Sequence, residues 1–93
     1  MGLSLIVYAK LNCTAIDKKG KEIKSYLIEH LDCWNFTSNK VEEILNSENK
    51  IDKYKEILQY DCDHYDHDFD YYIKKLNYFI EEYKDWEIIF EAI

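Results

Sequence analysis

The apolar residues of this chain change their repeat twice, from every second position to roughly every 3.6 and back again. Over residues 3–16, Leu3, Leu5, Val7, Ala9, Leu11, Cys13 and Ala15 fall on one face. Ser4, Tyr8, Lys10, Asn12 and Thr14 fall mostly on the other. That alternation predicts a half-buried strand. Fourteen residues is long for one strand, so a bend or bulge is expected near Lys10–Asn12. Asp17-Lys18-Lys19-Gly20 has the chemistry of a hairpin turn: Asp starts a type I turn and Gly supplies a left-handed residue. Lys21–Ile28 reads as the returning strand. A helix also fits there, because Ile23, Tyr26, Leu27 and Leu31 make an acceptable helical stripe.

The helical repeat dominates after the aromatic corner Trp34-Asn35-Phe36. Thr37 or Ser38 can cap a helix over about 38–46 that turns Val41, Ile44 and Leu45 inward. Ser47 or Asn49 can cap a second over about 49–60, with Ile51, Tyr54 and Leu58 on its apolar side. The run from Asp61 to Asp68 reads as an acidic loop. Asp68 then caps a third helix, about 69–84, whose stripe is Phe69, Tyr72, Ile73, Leu76, Ile80 and Tyr83. From Trp86 to Ile93 the alternation returns as a final strand. The order β-β-α-α-α-β predicts a single α+β domain over residues 1–93, its small sheet drawn from both ends of the chain and packed on about three helices.

Composition excludes several function classes. The 93 residues carry twelve lysines, nineteen acids and no arginine, a net charge of −7. Phosphate binding draws on clustered Lys and Arg, and base reading leans on Arg forks. Direct nucleic-acid binding and adhesion to an anionic membrane are therefore not expected. Residues 1–36 are near neutral, at +1, and residues 37–93 carry −8. No apolar run is long enough to span a membrane, and the interrupted N-terminal stretch is a poor signal peptide. Cys13, Cys33 and Cys62 are an odd, widely spaced set, which predicts thiols in a reducing cytoplasm rather than a disulfide framework.

The most unusual stretch is Tyr60-Asp61-Cys62-Asp63-His64-Tyr65-Asp66-His67-Asp68-Phe69-Asp70, with five Asp, two His and one Cys. Cys62, His64 and His67 are zinc-ligand types, but their spacing matches no structural zinc pattern and a calcium loop is excluded by the missing Gly and closing Glu. No cofactor is implied. Acids at the start of a helix are favoured by its exposed N–H groups, which accounts for Asp66, Asp68 and Asp70 in part and leaves Asp61 and Asp63 without that explanation. Tyr71 and Tyr78 lie off the apolar stripe of the third helix, beside Asp70, Lys74, Lys75, Glu81 and Glu82. Exposed Tyr interleaved with acid suits a protein-contact face. The expected contact residues are Asp61, Asp63, Tyr65, Asp66, Asp68, Asp70, Tyr71, Tyr78, Glu81 and Glu82. No Gly-framed serine, phosphate loop or metalloprotease helix is present, so catalysis is not expected.

The short acidic chain, its aromatic content and the Met1-Gly2-Leu3 opening into a strand resemble the bacterial toxin-immunity proteins, of the colicin/cloacin type and of contact-dependent growth inhibition. The resemblance implies a cytoplasmic antidote that binds one basic, nuclease-type toxin domain tightly. Only those three opening residues align, so no functional residue is carried over from it. The same acidity also suits a phage anti-defence inhibitor that mimics nucleic acid, and a structural interaction module is the third reading.

Overall fold

The computed structural model describes residues 4–32 and 34–93. The expectations for Leu3 in the first strand, for the Met1-Gly2-Leu3 opening and for the Cys33 thiol lie outside the described residues. The elements are β1 (Leu5–Ile16), β2 (Glu22–Leu31), α1 (Ser38–Leu45), α2 (Lys50–Tyr65), α3 (Phe69–Glu82) and β3 (Glu87–Ala92). The order is the β-β-α-α-α-β of an α+β domain. The sheet is antiparallel, with strand order β2-β1-β3, so the N-terminal strand is central.

The hairpin forms where the turn chemistry places it. The Asp17 carboxylate accepts from the Lys19 and Lys21 amides at 2.9 and 2.8 Å. Gly20 sits at φ +80°, the left-handed conformation that a side chain disfavours. β1 pairs β2 one to one without interruption from Val7↔Leu31 to Ile16↔Glu22, so the ladder has no bulge near Lys10–Asn12, where the sequence predicts a bend or bulge. The helical alternative for residues 21–33 gives way to a strand over Glu22–Leu31, because this turn delivers Lys21 beside Asp17 in register, and Cys33 lies outside the described residues. On the other side β1 pairs β3 only from Leu5↔Ala92 to Lys10↔Glu87.

Alternation along β1 sets which face is dry. Leu5, Val7 and Ala9 are buried. They meet Phe36, Val41, Ile44, Tyr54, Ile57, Leu58, Cys62, Leu76 and Phe79 from the helical layer. α1 packs beside β3, α3 beside β2, and α2 lies against both of those helices. Trp34, Tyr72, Tyr83 and Trp86 pack half-buried at the margin of this core, in line with their sequence positions.

Two of the helix starts are fixed by side chains. Asn49 accepts from the Asp52 amide at 3.1 Å, and Asp68 accepts from the Tyr71 amide. Thr37 occupies the N-cap of α1 in an extended conformation, but its side chain makes no capping bond. The largest departure from expectation concerns α2. It does not stop near residue 60 but runs to Tyr65, which converts most of the expected acidic loop into helix. No Gly or Pro interrupts it, and its buried positions Tyr54, Ile57, Leu58, Asp61 and Cys62 keep one helical stripe throughout. It ends at Asp66, which adopts the left-handed conformation at φ 57° while the Asp66 and His67 amides both reach the Cys62 carbonyl. Only residues 66–68 remain to connect α2 with α3.

The molecule is elongated, 58 × 28 × 22 Å, with a radius of gyration of 16.3 Å. A compact chain of this length has about 12 Å. The excess comes from the hairpin: β1 continues six residues, about 20 Å, beyond its last partner in β3. Burial fades along the same stretch, and the residues near the tip are exposed on both strands.

Candidate functional site, an acidic and tyrosine-rich surface

The extension of α2 divides the expected contact residues into three groups. Asp61 is the first and stands alone, because it is buried at 2 % exposure. Its carboxylate accepts a bond from the Trp34 indole N–H at 3.0 Å and forms an ion pair with Lys40. Lys40 in turn lies over the Tyr60 ring, 5.1 Å from its centre. Asp61 thus ties the aromatic corner and α1 to α2 from inside, and it leaves the contact surface. The physical reason is its helical phase: it follows Ile57 and Leu58 on the stripe that faces the core. The hydrogen bond to Asp61 holds the Lys40 ammonium above the ordinary lysine range, against the opposing effect of desolvation.

The second group surrounds the α2–α3 turn. Asp63, Tyr65, Asp66 and Asp68 are exposed, as is Asp70 in the first turn of α3. Four of these are acids within eight residues, and no lysine interrupts them. Trp34 braces this turn from beneath. Its ring packs edge-on against His67 at 4.9 Å and against Tyr72 at 5.0 Å. Such contacts add to the area they bury and fix the connection although it is short.

The third group is the outward stripe of α3. Tyr71, Lys74, Lys75, Tyr78, Glu81 and Glu82 recur at three- and four-residue spacing, opposite the buried Leu76 and Phe79. Tyr78 is 71 % exposed. Asp68, Asp70, Tyr71, Lys74, Lys75 and Tyr78 line one shallow concavity of about 440 Å³. Lys75 holds its ammonium 5.1 Å from the centre of the Tyr71 ring and reaches the Asp32 carboxylate at 3.4 Å. Glu81 and Glu82 prolong the stripe about 16 Å past Asp70 along the helix axis. The structure therefore brings Asp68 and Asp70 onto one surface with Tyr71 and Tyr78. Lys74 and Lys75, absent from the expected set, belong to the same surface. Their helical spacing with Tyr71 and Tyr78 is the signal that points to them.

The residues with zinc-ligand chemistry do not converge. Cys62 faces the core, and burial followed by the charges of Asp61, Asp63 and Asp68 pushes its thiol above the usual range. His64 stacks on Tyr60 and meets Tyr65 edge-on, while His67 turns to Trp34. Among the described residues no three His, Cys, Asp or Glu side chains are grouped to hold a metal ion. No helix among them is long and apolar enough to cross a membrane. Comparison with protein-family models, curated proteins and solved structures finds no match to this chain.

Proposed function

We propose that this chain is a small inhibitor that binds a basic protein domain through the surface formed by the α2–α3 turn and the outward stripe of α3, as an immunity protein binds a nuclease-type toxin. The observation that carries the reading is the exposure of Asp63, Tyr65 and Asp66 around the α2–α3 turn, next in the chain to a concavity that Asp68, Asp70, Tyr71 and Tyr78 line together. Nuclease surfaces are basic because their substrate is anionic. An acidic face opposite such a surface steers encounter and raises the association rate, and tyrosines add rigid area at low entropic cost. The rim acids would act mainly on association, while Tyr71 and Tyr78 would act mainly on dissociation.

The test begins with affinity capture from lysates of the source cells, followed by reconstitution with the purified captured domain. The expected partner is one basic domain, bound in equal proportion, whose nuclease activity falls on binding. Asp63→Lys combined with Asp66→Asn should slow association and flatten its salt dependence without changing the fold. Asn is chosen at position 66 because it tolerates the left-handed backbone. Capture of a large nucleoprotein complex would favour the anti-defence reading instead. An unaltered association rate in the double variant would remove this surface from the interface.

A further inference from the structure

The projecting hairpin leaves one sheet edge open. Ser4 and Ile93 exchange both backbone bonds, at 3.0 and 2.9 Å, so even-numbered residues of β1 bond toward β3. The Asp17 amide bonds the Lys21 carbonyl, so odd-numbered residues bond toward β2. β3 ends its pairing at Lys10↔Glu87. Beyond that point the N–H and C=O groups of Asn12, Thr14 and Ile16 face a side with no strand among the described residues.

This edge differs from the others in the sheet. The outer strand β2 carries Glu22, Lys24 and Glu29, and β3 carries Glu87 and Glu91. Charges of this kind blunt an edge against further pairing. Leu11-Asn12-Cys13-Thr14-Ala15-Ile16 has no charge, no Pro and no Gly. It is an uncharged, strand-prone segment of the sort that natural proteins keep covered. The core face of the sheet also continues onto the arm, where the register places Leu11 beside Leu27 and Ala15 beside Ile23. Leu27 and Ile23 are exposed there.

We infer that a second copy of this chain covers the open edge, its β1 pairing antiparallel with β1 about a two-fold axis near Thr14. Charge identifies the occupant. Residues 10–27 hold five lysines and two acids, net +3, whereas the rest of the chain holds seven lysines and seventeen acids, net −10. Even-numbered residues must pair with even-numbered residues across this edge. A two-fold axis at Thr14 therefore sets Asn12 against Ile16 of the other copy. That register drives the turn bearing Lys18, Lys19 and Lys21 into the place where β3 begins. The corner there carries Glu81, Glu82, Asp85 and Glu87 against Lys84 and Lys10, the latter opposite Glu87 in the register, and so stays net acidic. The lysine tip of each copy meets the acidic corner of the other, and β3 acts as the stop that fixes the register. The result is a continuous sheet, β3-interrupted at each end of the join, with the arm's apolar face laid alongside the helices of the neighbouring copy.

Sedimentation of the full chain across micromolar to millimolar concentration tests this, together with amide exchange by NMR. The expected result is a species of twice 11.3 kDa that loosens as salt rises. In that species the Asn12, Thr14 and Ile16 amides are as protected as those of Leu11, Cys13 and Ala15. Thr14→Pro removes a donor on the open edge, one that the β1–β2 ladder does not use, and should abolish pairing while the hairpin persists. Lys18→Glu with Lys19→Glu leaves the edge intact and should weaken the dimer roughly tenfold or more. A monomer at millimolar concentration overturns the inference, and so does a dimer that survives both variants or leaves the even-numbered amides exchanging freely.

Discussion

Replacing Asp61 by Ala separates a structural role from a contact role at the most informative position in the chain. The substitution removes the ion pair with Lys40 and the acceptor of the Trp34 indole at one stroke. A hydrogen bond to a charged acceptor contributes about 1.5–3 kcal/mol, and an indole N–H left unpaired in a part-buried site costs about 1–3 kcal/mol. Breaking a fully buried pair costs about 3–5 kcal/mol. Lys40 keeps 25 % of its side chain exposed and can turn to water, which moves the expected loss to the lower end of that range. A loss of about 3 kcal/mol is a large share of the roughly 5–14 kcal/mol that a domain of this size commands. It corresponds to a fall in Tm of about 12–24 °C. Urea unfolding followed by tryptophan fluorescence reads the effect directly, since Trp34 touches the altered group. Asp61→Asn, which keeps an acceptor and removes the charge, should lose about half as much. A loss below about 1 kcal/mol for Asp61→Ala would refute the assignment and return the residue to the surface.

Three further outcomes are expected. Because Lys40 has a raised pKa in the folded state, its contribution is whole below the ordinary lysine pKa and is lost as pH climbs through the raised value. Urea midpoints should therefore hold from neutrality to about pH 10 and fall above it, and Lys40→Met should flatten that decline. Leu76→Ala opens a cavity under α3 at a site 1 % exposed and should cost about 2–5 kcal/mol by the same unfolding assay. Cys62 should resist thiol reagents in the native protein and react only on unfolding, because it is buried and its thiol is pushed up; mass spectrometry under native and denaturing conditions distinguishes the two states.

The parts of the fold visible in the sequence are those fixed by local chemistry. Asp17 and Gly20 specify the turn, Asn49 and Asp68 specify two helix starts, and strict alternation in β1 names its buried face. The end of α2 was obscured because acids and histidines after residue 60 carry the composition of a loop while keeping the period of a helix. Counting forward from Tyr54, Ile57 and Leu58 puts Asp61 and Cys62 on the core stripe, so the signal was present but lay in spacing rather than residue type. The partner that makes a buried Asp61 tolerable was not visible at all. Lys40 lies 21 positions away, and only the packing of α1 against α2 brings it there. The exposed tyrosines were legible for the converse reason: Tyr71 and Tyr78 fall out of phase with Leu76 and Phe79, and a helix with one dry side must present them outward.

The placement of β1 at the centre of the sheet has a kinetic consequence. Its pairing with β2 closes across the five residues Asp17–Lys21, for which the logarithmic part of the closure entropy is about 1.4 kcal/mol. Its pairing with β3 joins Leu5 to Ala92, and the same term rises to about 4 kcal/mol. Hairpin and helices can therefore assemble from neighbours in sequence, whereas the third strand must arrive from the far end of the chain. Contacts of such long range slow folding. Once the hairpin and helices have assembled, however, the tether to β3 shortens to residues 83–86, so most of that cost is already met and the last pairing of the sheet becomes a local step.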